Sequence, residues 1–345
     1  HTSGIDGDKF DSFGRGDDAL EQYVESCSTI GQVHPVGATW SYCNSGLNVA
    51  GRVVEVLTGK GWDESLRERV LDPIGATRTV SLPEDVVWWP FAVPHTDEDG
   101  KAVPLRRWQG DRASAPCGGL VATAGDVLRF GAMHDHDGLG TGGVRVLSED
   151  AVTQMAVPHV TLPEGTGEDT HHGLGWAMTK LPDDRWLVGH GGDLVGTHAR
   201  FVRVPAEKLA VVVLANGNKI DRIADPLLDE VLGSVGVTRP AKPTPPETTP
   251  DVDVAAKAGS FQTVAVRIEL EPAGDHLEGT IRIRDAKIAE MFPESQRQST
   301  LTLHPVTEDR WLAKMAESDD WTPAVFSESN GRRYMHMGGR AFIAS

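Results

Sequence analysis

Two short stretches, far apart in the chain, carry side chains that can transfer protons. Tyr42 lies in the stretch WSYCN, directly before a helical pattern, and His190 lies in GHGGD, directly after an apolar strand pattern. A phenol and an imidazole both act as general acids or bases in enzymes. The glycines that follow His190 leave the backbone uncovered, so a substrate could lie against this segment. Tyr42 and His190 are therefore the candidate catalytic residues.

Each of these candidates also has an ordinary structural explanation. A tyrosine is often a packed residue, and His190 could be a hydrogen-bonded histidine of the core. Asn44 is a good N-cap for the helix that begins there, and capping does not exclude a second role. Trp88, Trp89 and Trp108 could line a pocket or simply pack. The residue types alone do not choose between these alternatives.

The composition excludes several classes of partner. The 345 residues carry a net charge of −17, and such an acidic surface repels phosphate backbones and anionic lipids. No apolar run approaches the length of a membrane span. We therefore expect neither a nucleic acid nor a membrane as partner.

The cysteines and the paired histidines give weaker signals. The cysteines, Cys27, Cys43 and Cys117, are too few and odd in number for a disulfide framework, which favours a cytoplasmic location over a periplasmic or secreted one. The histidines at 134–136 and 171–172 offer zinc-type ligands, but both segments are polar and rich in glycine. We expect solvated loops there, no metal and no cofactor.

A proline-rich segment divides the chain. Residues 238–252 read TRPAKPTPPETTPDV, with five prolines, which is typical of a semi-rigid linker. It separates a body, residues 1–237, from a tail, residues 253–345. The tail alternates six short strand patterns with turns, at 264–271, 276–284, 299–303, 310–314, 324–327 and 332–337, and this predicts a small all-β barrel or sandwich.

The body predicts helices first and antiparallel strands after them. Asn44–Gly59 is the clearest helix, and Thr197–Val204 with Leu209–Ala215 is the clearest hairpin. This order favours an α+β fold with helices packed on an antiparallel sheet. The residues expected on the buried face of the helix are Leu47, Ala50, Val53, Val54 and Leu57.

Several segments, in order along residues 1–220, resemble the penicillin-recognising serine enzymes, in particular class C β-lactamases and D-peptidases. Tyr42-Cys43-Asn44 resembles the Tyr-x-Asn of that family, and His190-Gly191-Gly192 resembles its His-x-Gly. Each match alone is weak, but their order makes them strong together. The flanking matches are HTSGI at 1–5, PIGATRT at 73–79, CGGLVATAGD at 117–126, GLGW at 173–176 and VVLAN at 212–216.

The resemblance implies a β-lactamase/transpeptidase-like body followed by a lipocalin-like barrel in the tail. It implies that Tyr42 is the general base or proton relay and that His190 holds the tyrosine's proton network. Asn44 would orient the substrate or the family's lysine. The glycines Gly191 and Gly192 would contact substrate, and the backbone N–H of Asp193 would belong to the oxyanion hole. The substrate would be a small-molecule or peptidyl acyl compound.

One element of the family pattern does not occur. No serine among the 345 residues is followed three positions later by lysine, so the Ser-x-x-Lys nucleophile is absent from this sequence. The resemblance places it upstream of His1, for example on a separate N-terminal fragment. In the tail, Arg332, Arg333 and Arg340 could hold a substrate carboxylate or could be ordinary surface arginines.

The resemblance thus predicts a serine acyl hydrolase or acyltransferase that works through an acyl-enzyme. Peptide, amide and (thio)ester substrates all fit, as in D-peptidases, esterases and peptide-cyclising thioesterases. The alternative is a catalytically inactive ligand-binding homologue that has lost Ser-x-x-Lys. A metallohydrolase that uses the histidine-rich segments is a third reading.

Overall fold

The computed structural model describes residues 1–98, 100–106, 111–165, 169–217, 219–290, 292, 294–316, 318 and 320–345. Its helices are α1 Ala19–Ser26, α2 Asn44–Thr58, α3 Trp62–Leu66, α4 Asp72–Ile74, α5 Ala115–Gly118, α6 Ala124–Asp135, α7 Glu149–Met155, α8 Asp221–Gly233, α9 Val254–Lys257 and α10 Ala286–Glu290. A π-helical turn, Arg67–Leu71, joins α3 to α4.

The strands of the described residues fall into three sheets. A small hairpin consists of β1 His95–Glu98 and β2 Lys101–Pro104. The body sheet consists of β3 Val160–Thr161, β4 His171–His172, β5 Ala177–Lys180, β6 Trp186–Leu194, β7 Thr197–Val204 and β8 Leu209–Ala215. The barrel consists of β9 Gly259–Gln262, β10 Val266–Ala273, β11 His276–Ile283, β12 Gln298–Pro305, β13 Arg310–Met315, β14 Thr322–Ser329, β15 Arg332–Met337 and β16 Arg340–Ala344.

The body is an antiparallel sheet with helices packed on it, so the predicted α+β class is confirmed. Its strands follow one another in chain order from β3 to β8. On one face, Met178, Val188 and Phe201 pack against Val127 and Phe130 of α6. Helix α8 covers the other face, where Leu228 and Leu232 meet apolar residues of β7 and β8. Alternating side chains of the strands thus bury both faces of the sheet.

Strand β6 matters most for the site, because part of its edge has no partner strand among the described residues. Its pairing with β5 ends at Gly189, whereas its pairing with β7 continues to Leu194. A two-residue turn joins β6 to β7, and Leu194 and Thr197 form the hydrogen-bonded pair that closes it. From this pair, non-hydrogen-bonded and hydrogen-bonded pairs alternate along the hairpin. The backbone groups of Gly191 and Asp193 therefore point away from β7, toward the open edge.

Helix α2 forms where expected, but its predicted buried face is wrong. The apolar residues expected inside are exposed, with Val53 at 51% and Leu57 at 79% of their full exposure. Cys43, rather than Asn44, is the N-cap, and its Sγ accepts the Gly46 N–H at 3.2 Å. A polar set with helical spacing lies inside instead, and its members are Asn44, Ser45, Asn48, Gly51 and Glu55.

The tail is a closed eight-stranded barrel, which confirms the prediction of a β-barrel there. Strands β9 and β16 were not predicted; they pair with each other and close the cylinder. Apolar residues from all around the wall fill the interior, among them Phe261, Leu303 and Trp311. A closed barrel leaves no free strand edge, which stabilises so small a domain.

Contacts join the barrel and the segment before it to the body. Residues 238–252 contain no helix or strand. In this segment, Lys242 forms ion pairs with Asp225 of α8 and Asp320 of the barrel at 2.8 and 2.9 Å. Tyr334 of β15 donates its hydroxyl hydrogen to Val33 O at 3.2 Å. No helix in the described part of the chain has the length and apolar character of a bilayer-spanning segment.

Candidate active site

Tyr42 and His190 lie together at the edge of the body sheet. Their ring centroids are 6.0 Å apart, with the rings tilted by 41°. Tyr42 stands at the end of the loop that enters α2, and its backbone N–H donates to Gly339 O at 2.8 Å. His190 stands on β6, where the open edge begins. The local order of Tyr42 thus depends on the β15–β16 turn of the barrel.

Asn44 belongs to a chain of polar side chains that also reaches the barrel. Its Nδ2 donates to Asp8 Oδ1 at 2.7 Å. Asp8 is buried and also accepts from Arg340, through Nε and, at 3.2 Å, through Nη2. The guanidinium and the carboxylate form a bidentate pair, which fixes the orientation of both groups. Asn44 is therefore oriented by a body–barrel ion pair.

The three arginines singled out in the tail lie at opposite ends of β15 and β16. Arg340 places its guanidinium over the Tyr42 ring, 5.1 Å from the centroid. Arg332 and Arg333 lie at the far end of β15, where Arg333 donates to Ala256 O at 2.8 Å. The expected basic group does not form, because an extended strand separates its members. Arg340 also already has a carboxylate partner in Asp8.

Burial raises the pKa of the Tyr42 phenol above its ordinary value near 10, and the charge of Arg340 opposes this rise. Desolvation disfavours a phenolate, whereas a nearby cation favours it. The phenol is therefore protonated at neutral pH. It needs a cationic neighbour to release its proton, and Arg340 is one such neighbour.

The GHGGD stretch presents different groups on its two sides. Gly191 and Asp193 turn backbone groups toward the open edge of β6, as the strand register requires. The Asp193 carboxylate lies 2.6 Å from His198 Nδ1 and 3.0 Å from Arg200 Nη1. The side chain of Asp193 is thus engaged with β7, and only its backbone is free to meet a ligand.

A cavity of about 500 Å³ lies beside His190, between the body sheet, the segment before the barrel and the barrel itself. Trp40, Gly339 and Trp321 contribute to its wall. Of the tryptophans proposed as pocket residues, Trp88 is 81% exposed. Trp108 lies outside the described residues.

The comparisons with known proteins identify the family. Residues 1–233 match the sequence model of the β-lactamase family. The chain belongs to the β-lactamase family. Penicillin-binding protein 4 of Amycolatopsis lactamdurans is 36% identical over 266 residues, which cover 76% of this chain and 70% of that protein. A D-aminopeptidase of Gluconobacter oxydans is 24% identical over 270 residues, which cover 76% of this chain but only 46% of that protein.

Two solved structures show the same fold. The superposition on the crystal structure of SurE covers 100% of this chain and 77% of SurE, with a TM-score of 0.74 and 22% sequence identity. The superposition on the D-amino acid amidase of Ochrobactrum anthropi covers 68% of this chain and 70% of the amidase, with a TM-score of 0.56 and 18% sequence identity. At this level of identity, both comparisons carry information on fold alone.

Sequence reasoning missed two histidines of this β-lactamase-family site. His1 stacks on Tyr42 with ring centroids 4.2 Å apart, and His172 lies edge-on to His1 at 5.0 Å. His172 was expected in a solvated loop, but it is buried on β4. The signal that could have found it is its place directly before the GLGW motif, which forms the turn between β4 and β5.

One histidine of the other segment expected to be a solvated loop is also buried. His134 lies in the last turn of α6 and packs edge-on against Phe130 and Trp176, at 4.9 and 5.3 Å. Burial, with the charge of Arg203 as the second cause, lowers its pKa to about 4. The neighbouring Asp135 is the ion-pair partner of Arg203. The predicted solvated loop is wrong for His134 and Asp135, which belong to the last turn of a helix, whereas His136 and Asp137 are exposed in the turn that follows.

Proposed function

We propose that this protein is a serine acyl hydrolase or acyltransferase that passes an acyl group through an acyl-enzyme. The observation that carries the proposal is the approach of Tyr42 to His190, 6.0 Å between ring centroids, beside an open strand edge. A serine becomes a nucleophile only when a nearby base takes its proton. In the β-lactamase family that serine and its lysine belong to the Ser-x-x-Lys segment, which would have to meet Tyr42 here.

Tyr42 would move the proton between the nucleophile and the leaving group. Its raised pKa makes it a weak acid by itself. Cations near the phenol lower the free energy of the phenolate, so Arg340 and the lysine would act together. Asn44, held by Asp8, would orient either the lysine or the substrate amide.

The open edge of β6 would bind the substrate backbone. An extended peptide can add to such an edge as a further strand, with main-chain hydrogen bonds that do not depend on its side chains. Asp193 would supply its backbone N–H to the developing oxyanion, and Gly191 and Gly192 leave room for the substrate. His190, at the start of this edge, would contact the phenol or the leaving group.

The proposed substrates are peptides, amides or (thio)esters of D-amino acids. The support comes from the names of relatives, which include a penicillin-binding protein, D-aminopeptidases and a D-amino acid amidase. The cavity between body and barrel beside His190 would accommodate the acyl side of such a substrate. Hydrolysis and transfer share the same acyl-enzyme and differ only in the second nucleophile.

The test is covalent labelling of the complete protein, Ser-x-x-Lys segment included, with a fluorophosphonate or a penicillin, followed by intact-mass analysis. We expect one adduct per molecule. We expect Tyr42→Phe to slow its formation by about 100-fold or more, since general-base catalysis is lost.

The chain offers matched controls, because Tyr23 and Tyr334 are its other two tyrosines. Tyr334→Phe removes one buried hydroxyl, which bonds to Val33 O, without touching the site. It should label at the wild-type rate. A protein that forms no adduct but still binds D-amino acyl ligands would be the inactive ligand-binding homologue, and the enzymatic proposal would be abandoned.

A further inference from the structure

Three imidazoles meet beside Tyr42. One ring nitrogen from each of His1, His172 and His190 lies within 4.8 Å of the others. Three histidines are also a common set of zinc ligands. The hydrogen bonds around each ring decide between a metal site and a hydrogen-bonded cluster, because a histidine nitrogen that carries a proton cannot bind a metal.

The tautomer of His1 differs from those of its two neighbours. The Cys43 N–H points at His1 Nδ1 at 3.0 Å, and a backbone amide can only donate, so Nδ1 is an acceptor and the ring proton is on Nε2. Nδ1 of His172 faces Gly173 O at 3.1 Å, and Nδ1 of His190 faces Gly191 O at 2.5 Å. Carbonyl oxygens only accept, so each of these two rings carries a proton on Nδ1, and Nε2 is the acceptor of the ring in its neutral form.

This arrangement does not fit a metal ion held by all three rings. A ring nitrogen that binds a metal carries no proton. Coordination by His1 would therefore require the ring to give up either its Nε2 proton or the hydrogen bond from the Cys43 N–H. The cluster instead offers one N–H donor and two acceptors, which is the set for a hydrogen-bonded group.

His1 is held on several sides and contacts the residues that matter. Its carbonyl oxygen accepts the Ser41 N–H at 2.9 Å. Its ring stacks on Tyr42 with an angle of 30°, and it meets Trp40 edge-on at 5.9 Å. Burial lowers the pKa of His172 to about 4, so this neighbour is uncharged near neutral pH. The contacts of His1 thus reach Tyr42 on one side and the histidine pair on the other.

We propose that His1 is a positioning residue: its ring holds the Tyr42 phenol by stacking, and its Nε2–H donates toward the acceptor nitrogens of His172 and His190. The three imidazoles then form one support for the Tyr42–His190 pair. This inference rests on the proposed function, because Tyr42 and His190 are the proton-transferring residues of that proposal.

Two substitutions separate the two halves of this role. His1→Phe keeps an aromatic ring against Tyr42 but loses the nitrogens. His1→Asn keeps a short acceptor for the Cys43 N–H but loses the stack. We expect each to reduce the acylation rate by about 10- to 100-fold through misplacement of the base, with the substrate KM little changed. A purely structural role would instead lower the melting temperature and leave the acylation rate of the folded fraction unchanged.

His172 and its neighbour His171 give a matched pair of variants for the hydrogen bonds among the three histidines. His172→Gln removes an acceptor of the cluster, and we expect a similar loss in acylation. His171→Gln changes the adjacent residue, which turns to the other face of β4 and packs on Trp186. It should acylate at the wild-type rate.

The tautomers can be measured without any activity, by nitrogen-15 NMR of histidine-labelled protein with assignment by the variants. The expected spectrum has His1 protonated on Nε2, and His172 and His190 on Nδ1. His1 protonated on Nδ1 would overturn the inference. So would stoichiometric Zn²⁺ binding that His172→Gln abolishes.

If the tautomers are as expected but wild type forms no adduct, the proposed function fails while the hydrogen-bonded cluster stands. If wild type forms the adduct and both His1 variants match its rate, the inference fails alone.

Discussion

The barrel and helix α2 of the body bury opposite kinds of side chain. The barrel interior is apolar, with Phe261, Ile268, Leu277 and Leu303 all fully buried. Helix α2 turns its polar side chains inward and leaves most of its leucines and valines outside. Apolar burial is non-directional and proportional to area, so it stabilises the barrel without orienting any one group. The hydrogen bonds of α2 are directional and fix individual side chains.

The bonds along the inner face of α2 show this directly. Ser45 Oγ lies 2.7 Å from Tyr23 Oη and 3.1 Å from Gly7 O. Near the other end, Glu55 accepts from Trp62 N and from Arg52, both at 3.0 Å. These bonds fix the rotation of the helix, and the helix start in turn carries the active-site segment. The barrel supports the Tyr42 segment through the turn between β15 and β16, where Gly339 O accepts the Tyr42 N–H, and it lines the neighbouring cavity with Trp321.

Among substitutions at the contact between barrel and body, removal of the Arg340 charge should have the largest effect on stability and on acylation. Arg340→Gln leaves the Asp8 carboxylate, 10% exposed, without its cation. We expect a loss of about 3 kcal/mol in unfolding free energy, since an unpaired buried charge is costly. The Tyr42 pKa should rise further, which would move the optimum for acylation to higher pH. Chemical denaturation and a pH–rate profile measure the two effects.

A double variant separates charge from packing at this contact. Asp8→Asn together with Arg340→Gln removes both charges, so part of the lost stability should return. The barrel and the body would then still be in contact, but the Tyr42 pKa would lack its nearby cation. Equal stability in the single and double variants would show that the ion pair does not couple the two regions.

Acid should lower the unfolding free energy of both regions through their buried histidines. This effect should be smaller than that of Arg340→Gln. Burial lowers the pKa of His134 in the body and of His336 in the barrel to about 4, against 6.5 when unfolded. A lowered histidine pKa means that the unfolded state binds protons first. Stability is therefore complete above pH 6.5 and falls as the pH drops toward 4. Each histidine should account for about 2 kcal/mol at pH 5.

Single substitutions assign this loss to its region. His134→Phe should reduce the pH dependence of the unfolding step of the body, and His336→Phe that of the barrel, in denaturation followed at pH 7 and pH 5. Asp6, whose pKa burial raises to about 6, works in the opposite direction, but it is common to wild type and variants. A pH dependence that neither substitution changes would contradict the assignment.

The same contrast explains how much could be predicted from the sequence. Six barrel strands follow from alternation and turns, because a two-sided wall imposes a period of two. The Tyr42 and His190 segments follow from motif and order. The inner face of α2 does not, because its partners, such as Gly7 and Tyr23, are fixed only in the folded chain. The position of Arg340 beside Asp8 could not be predicted either, because no local sequence pattern relates the β15–β16 turn to Asp8.

The smallest effect should come from Arg333, which tests the comparison within the barrel itself. Arg333 lies on the same strand pair as Arg340 but at the opposite end, and it donates to Ala256 O and Ala258 O on the surface. Exposed contacts of this kind contribute little, so Arg333→Gln should change the unfolding free energy by about 0.5 kcal/mol or less. It should leave acylation and the Tyr42 pKa unchanged, measured beside Arg340→Gln under the same conditions. A loss of acylation in Arg333→Gln would mean that the whole barrel face, rather than one turn, takes part in the site.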